Sequence, residues 1–316
     1  MNFFKKYAPF LVLFAAMLWA TDAPFRLHLT EGLSSNFIVL GEHFIAILFI
    51  LPILLLNWRE LKKLKLKEWL AVLFIAIGGS ALASVAFTQA FHYLNPSVAI
   101  LLQKLQPFMV IGLAAIVLKE TLGRRFWLFA IVSIVGAYLI SFPNLIPQTY
   151  PGETFNANLL GVGLALVAAF FWGASTVFGK LVLNKTNFKV MTGLRFSVAF
   201  VFLIFLNLFQ QSFPDWSAVT TTDYLFIGII GITSGVVSLF IYYKGLENTT
   251  ASVATMAELG FPLGAVVVNW IFLGAILLPM QIFGMAILLL GVYGLAKYNQ
   301  APEVVSGQGL GSSLKH

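Results

Sequence analysis

Ten times in 316 residues the sequence runs into a long, mostly apolar stretch, at approximately 7–27, 34–57, 69–90, 96–118, 126–142, 158–180, 188–209, 222–243, 250–274 and 278–297. A helix of about 20 such residues, rising 1.5 Å per residue, crosses roughly 30 Å of hydrocarbon. Lipid offers no hydrogen bonds, so each segment must satisfy its own backbone and the helix is the form that does so. The links are mostly short, which leaves little room for a soluble domain between them. Only 10% of the residues are charged and 59% are hydrophobic, whereas soluble domains carry about 25% charged residues. These observations predict an all-α membrane protein with ten transmembrane helices. Met1 to Lys6 imitates the start of a signal peptide. The apolar run after it is too long and lacks a small-residue cleavage site, so it reads as a retained first span.

A net charge of +7 raises the question of a nucleic-acid partner, and the placement of the charges answers it. Lys5, Lys6, Arg59, Lys62, Lys63, Lys65, Lys67, Lys119, Arg124 and Arg125 all fall in links on one face of the predicted bundle. Lys180, Lys185, Lys189, Lys244, Lys297 and Lys315 continue the series, giving sixteen of the nineteen basic residues. Arg26 sits opposite, and Lys104 and Arg195 fall inside spans. This is the positive-inside pattern, with both termini expected in the cytoplasm and no nucleic acid as partner. Trp58, Trp69, Trp127 and Trp216 stand where indoles anchor to headgroups. The absence of cysteine excludes disulfides and thiolate metal sites.

Shifted by 155 residues, Asn95-Pro96-Ser97-Val98-Ala99 falls on Thr250-Ala251-Ser252-Val253-Ala254, Pro107 on Pro262, and Gly136-Ala137-Tyr138 on Gly291-Val292-Tyr293. At a shift of 153, Ala15-Ala16-Met17-Leu18-Trp19-Ala20 matches Ala168-Ala169-Phe170-Phe171-Trp172-Gly173, and at 152, His43-Phe44 matches Arg195-Phe196. Coincident Trp, Pro, Gly and Tyr are not what generic hydropathy produces. Each half holds an odd number of spans, so the second copy enters the membrane from the other side. The expected organisation is two inverted five-helix repeats, 1–150 and 151–300, with a flexible tail at 301–316. The link at 143–156 is read as a connector on the outer side.

The Trp19 and Trp172 segments, the Ala90-Phe91 and Gly245-Leu246 ends of spans three and eight, the small-residue starts of spans four and nine, and the Gly136 and Gly291 helices resemble the drug/metabolite transporter superfamily, in its ten-helix EamA-type branch. The resemblance covers nearly the whole chain. The glutamate that often closes the fourth helix of such a repeat is present in Leu118-Lys119-Glu120-Thr121-Leu122, but the second copy reads Leu273-Gly274-Ala275-Ile276-Leu277. That departure limits the role expected of Glu120 to capping and loop structure. The resemblance implies a secondary carrier of a bacterial cytoplasmic membrane, often exporting amino acids or related metabolites, with no cofactor. Its cavity would be lined by spans one, three, four, six, eight and nine. The expected partners are a small-molecule substrate, the lipid bilayer and, in a coupled mechanism, protons; monomer and homodimer both stay open.

Ionisable residues inside the bilayer cost about 2.5 to 3.5 kcal/mol each on insertion scales, so they face a cavity or one another. Asp22, Glu42, His43, Lys104, Arg195 and Glu258 are the ones present. Glu42 and Lys104 both lie about 12 Å from the outer ends of their spans, and Arg195 and Glu258 lie at similar depth from the cytoplasmic end. The expectation is an ion pair Glu42–Lys104 in the first half and Arg195–Glu258 in the second, either gluing helices or holding a charged substrate. Pro24 is expected to kink span one and turn Asp22 inward. His43 reads as a protonation switch or a hydrogen-bonded link between helices. Gln89, Gln103, Gln106, Ser80, Ser84, Ser175, Thr176, Ser234 and Ser238, with Trp19, Phe87, Trp172 and Tyr242, suggest a pocket mixing apolar faces with a few polar points. Gly231 and Gly235 read as a close helix contact. An enzyme is disfavoured, since HExxH, GxSxG and P-loop motifs are missing. A channel is disfavoured too, because no ring of like charge is legible. The alternative cargo is an organic anion of the nucleotide-sugar kind, which Lys104 and Arg195 would admit.

Overall fold

The computed structural model describes residues 3–94, 96–145, 155–273 and 276–298; the middle of the connector and the tail, and so both boundaries of the expected division, lie outside them. The chain is an all-helical bundle of ten spans. Nine described segments are long and apolar enough to cross a membrane: Tyr7–Gly32, Ser35–Leu56, Leu66–Ala90, Arg124–Ser141, Leu159–Leu183, Phe188–Gln210, Thr221–Glu247, Ala251–Val268 and Pro279–Tyr298. Span four is the tenth, and it is made of two pieces, Pro96–Gln103 and Gln106–Val117.

The repeats interlock. Span two packs on span seven, span five on span ten, span one on span eight, and span six on span three, so every principal contact joins one half to the other. Spans five and ten touch backbone to backbone. A Cβ on Gly136 would lie 2.9 Å from the Gly284 carbonyl oxygen, and one on Gly284 would lie 3.0 Å from that of Gly136, which is how small residues hold membrane helices together.

The links sort onto two faces as the parity of the spans requires. On one face the Ser34 hydroxyl donates to the Ser212 carbonyl at 2.8 Å and the Asn36 amide to Gln210 at 2.6 Å, joining the first link to the seventh. On the other, basic face, the amides of Ala251 and Ser252 donate to the Glu120 carboxylate at 2.8 and 3.0 Å. Lys180 donates there to the carbonyls of Leu246 and Glu247 at 3.0 and 3.1 Å. Glu120 therefore does cap a helix, and that helix is span nine of the other half.

Both copies depart from regular helix at matching places. Span three carries a π-helical turn at Ile75–Leu82 and span eight one at Gly231–Val237, which coincide at the 155-residue shift. Such turns mark functional sites more often than ordinary helix does. Span four is interrupted at Lys104 and Leu105, and span nine tightens to a 3-10 turn at Glu258–Gly260. Pro107 and Pro262 explain both: each lacks the N–H that would bond the carbonyl four residues earlier, Gln103 or Glu258, and its ring crowds that carbonyl. Span one is broken as well, into Phe3–Trp19 and Ala23–Gly32, with Pro24 in the first turn of the second piece. Its mate, span six, is one unbroken helix, Phe155–Leu183. The position matching Pro24 is Val177, so nothing there interrupts the ladder.

Candidate functional site: a cavity between the repeats

The breaks and π turns surround a cavity of about 160 Å³. Trp19, Asp22, Glu42, His43, Gln103, Lys104, Trp172, Arg195, Tyr242 and Glu258 all border it. Gln89 does not; its amide oxygen accepts from the Ser35 hydroxyl at 2.9 Å and so ties span three to span two.

Two aromatic pairs border the cavity. The Trp19 ring centre lies 5.2 Å from that of Tyr242, and Phe87 lies 5.0 Å from Trp172. These pairs are images of each other under the repeat, since Trp19 matches Trp172 and Phe87 matches Tyr242. Tilted and edge-on contacts at this spacing suit the ring quadrupole.

The ionisable residues do not pair as their depths suggested. Glu42 meets Arg26 at 2.8 Å, and Arg26 also holds Asp22 at 2.8 Å and donates to the Thr88 hydroxyl at 2.8 Å. Depth along a helix says nothing of azimuth, and a second cation was nearer. Arg26, placed in the sequence as the lone basic residue on the outer face, is 6% exposed and borders the cavity. Asp22 does turn inward, at the break that precedes Pro24.

Arg195 makes no ion pair among the described residues. Its guanidinium donates to Ser80 Oγ at 2.7 Å, to the Tyr243 hydroxyl at 2.8 Å and to the Gly79 carbonyl at 3.0 Å. Gly79 and Ser80 lie in the π turn of span three, so this side chain straps the second half to the irregular turn of the first. Glu258 accepts instead from Gln106 at 2.6 Å and Tyr242 at 2.8 Å, and the Thr176 hydroxyl, 3.4 Å from the carboxylate, donates to Tyr242 at 2.7 Å. Lys104, at the break in span four, places its ammonium 4.6 Å from the centre of the Phe261 ring, a cation–π contact. His43 makes no hydrogen bond to another helix among the described residues. Its Nδ1 bonds the Val39 carbonyl of its own helix at 2.8 Å while the ring packs edge-on against Phe196 at 5.4 Å.

Of the glycine pair read as a close contact, Gly231 is the one that requires it: a Cβ there would lie 3.0 Å from the Glu42 carbonyl oxygen and 2.9 Å from Ile45 Cβ. Span two thus rests on the π turn of span eight, while Arg195 of span seven reaches into that of span three. Asp22, Glu42 and Glu258 face Arg26, Lys104 and Arg195 around the cavity, so its formal charge cancels. Polar and aromatic groups thus converge from both halves on one chamber beside discontinuous helices, where membrane transporters built of repeats place their sites.

Comparison with known proteins agrees with that arrangement. The model of the EamA-like transporter family matches twice, at residues 6–142 and 159–297, one match per repeat. A protein of Fusobacterium nucleatum named riboflavin transporter ImpX is 31% identical over 92% of this chain and 97% of its own. An uncharacterized transporter of Archaeoglobus fulgidus is 27% identical over 73% of this chain and 79% of its own. A solved crystal structure superposes with a TM-score of 0.72 over 95% of this chain and 99% of that one, at 15% identity, a likeness of fold alone. With both repeats matched and the likeness running through nearly the whole chain, this protein belongs to the EamA-like transporter family.

Proposed function

We propose that the protein is a secondary carrier of an uncharged, flat heteroaromatic metabolite of the flavin kind, moved by alternating access through the central cavity, in a bacterial cytoplasmic membrane with both termini inside. The observation that carries this reading is the cavity wall: mirrored aromatic pairs, Trp19 with Tyr242 and Phe87 with Trp172, around a set of charges that cancel. A flat ring without net charge gains from the aromatic faces and disturbs no ion pair. Riboflavin is such a molecule, and the relative named a riboflavin transporter supports it as the first to try. A nucleotide-sugar dianion would need net positive charge that the cavity lacks. At about 160 Å³ the chamber is below the 300–1,000 Å³ of sites that hold drug-sized ligands, so a flavin enters when the halves part.

The second reading is export of amino acids. Lys104 and Glu258, at the breaks of spans four and nine, offer one cation and one anion to a zwitterion. Purified protein in liposomes decides between them by counterflow of labelled riboflavin and of labelled amino acids, with and without a pH gradient. Riboflavin counterflow above empty liposomes, not competed by amino acids, is the expected result; amino-acid counterflow alone overturns the first reading. A flux that does not respond to the gradient sets proton coupling aside.

A further inference from the structure

Two polar residues bordering the cavity and their repeat mates are not equally satisfied. Arg195 and Glu258 have their polar atoms bonded, as described. Their mates are His43 and Gln103, at shifts of 152 and 155. There His43 Nε2 and Gln103 Oε1 are buried with no hydrogen-bond partner among the described residues, and so is the hydroxyl of Ser234 in the π turn of span eight. All three residues border the cavity, and His43 and Ser234 are 4% and 8% exposed. The sequence accounts for the difference. Tyr242, Thr176 and Gln106, which serve Glu258, match Phe87, Ala23 and Phe261, none of which can hydrogen-bond through its side chain to Gln103. Buried polar atoms are normally paired, and those left open beside a cavity point to a ligand that pairs them.

Their chemistry fixes the kind of edge that fits. The Val39 carbonyl can only accept, so the neutral His43 ring carries its proton on Nδ1 and presents Nε2 as an acceptor. The Ser234 hydroxyl can donate, whereas the open atom of Gln103, its amide oxygen, can only accept. An acceptor beside a donor is complementary to the N–H and adjoining carbonyl of an imide. Resting on the carrier function proposed above, we infer that His43 and Ser234 form the recognition edge for an imide-bearing ring, and that this edge determines which flat metabolites are carried. The N–H of the ring donates to His43 Nε2 and one of its carbonyls accepts from Ser234, while Gln103 Oε1 accepts from a hydroxyl elsewhere on the cargo. The isoalloxazine of riboflavin has such an edge.

The test compares riboflavin with N3-methylriboflavin, which lacks the imide hydrogen, in liposomes holding the full chain. The wild type is expected to show a KM about tenfold lower for riboflavin, the factor that goes with one buried hydrogen bond. His43→Phe keeps an edge-on ring against Phe196 but removes the acceptor, and is expected to collapse that ratio to near one. His43→Gln, which retains an acceptor, restores part of it. Ser234→Ala, which changes little volume, lowers the ratio without His43 being touched, so a folding defect in one variant does not end the test. Equal KM values in the wild type, or full discrimination retained by both His43→Phe and Ser234→Ala, overturn the inference. If riboflavin is neither bound nor carried, the flavin reading fails on its own. Binding of uracil and lumazine against their N-methylated forms, read by protection of the wild-type protein from thermal unfolding, then decides the imide edge: preference for the unmethylated forms supports it, and no binding or no preference overturns it.

Discussion

Each half of the molecule buries one arginine, and the two reach the same register on their partner spans: Arg26 donates to Thr88 on span three and Arg195 to Tyr243 on span eight, 155 residues apart. They are neutralised differently. Arg26 comes from broken span one and sits between Asp22 and Glu42. Arg195 comes from span seven and is held by two hydroxyls and a carbonyl. The mates of Asp22, Arg26 and Glu42 are Ser175, Gly179 and Leu194, so the second half has no trace of the ionic cluster. The same architecture has thus solved one problem twice, once with opposite charges and once with dipoles freed by a π turn, and only the first solution leaves carboxylates that depend on one partner.

That dependence gives the largest expected effect. Arg26→Ala strands the buried Glu42 carboxylate and removes the partner of the half-buried Asp22, and is expected to lower stability by about 3–5 kcal/mol, measured by unfolding in SDS. Converting the cluster to its mates, with Asp22→Ser, Arg26→Gly and Glu42→Leu together, should restore most of that loss; a triple variant as unstable as Arg26→Ala would break the comparison. Arg195→Met removes a cation whose partners are neutral and can reorient, so the expected cost is smaller, about 1–3 kcal/mol, with transport lost because the strap between the halves is gone. Equal losses for Arg26→Ala and Arg195→Met would show that the two sites are compensated alike. The smallest effect concerns the ends of the bundle. Glu120→Gln removes the charge from the cap of span nine, worth about 0.5–2 kcal/mol, and should raise labelling of cysteines introduced on the basic face of the cavity. The matching position in the second half is Ala275.

Much of this fold can be read from the chain, because hydropathy must be long and continuous to cross lipid, and because Trp19 with Trp172 and Pro107 with Pro262 mark the repeat. Which residues border the cavity is legible more than how they bond. Buried charges are rare enough that Glu42, His43, Lys104, Arg195 and Glu258 stand out, yet their partners depend on rotation about each axis, which depth does not supply. Arg26 had two signals: its isolation against the charge pattern and its spacing of four from Asp22, which places both on one helix face. The interruptions in spans four and nine were also written in Pro107 and Pro262, whose recurrence identified the copies but equally announced missing donors. The π turns have no such marker, since Gly78, Gly79, Gly231 and Gly235 permit close packing without demanding an irregular turn.

The missing donors at Pro107 and Pro262 bear on how such a bundle can move. At span nine the 3-10 turn supplies a substitute, since the Glu258 carbonyl accepts from the Phe261 N–H; the Gln103 carbonyl, denied its usual donor by Pro107, cannot be turned toward acyl chains without a cost of several kcal/mol. In the alternating access proposed above, the interrupted middles of spans four and nine are therefore expected to act as a fulcrum, with opening at the tips of the bundle while its centre stays dressed in protein.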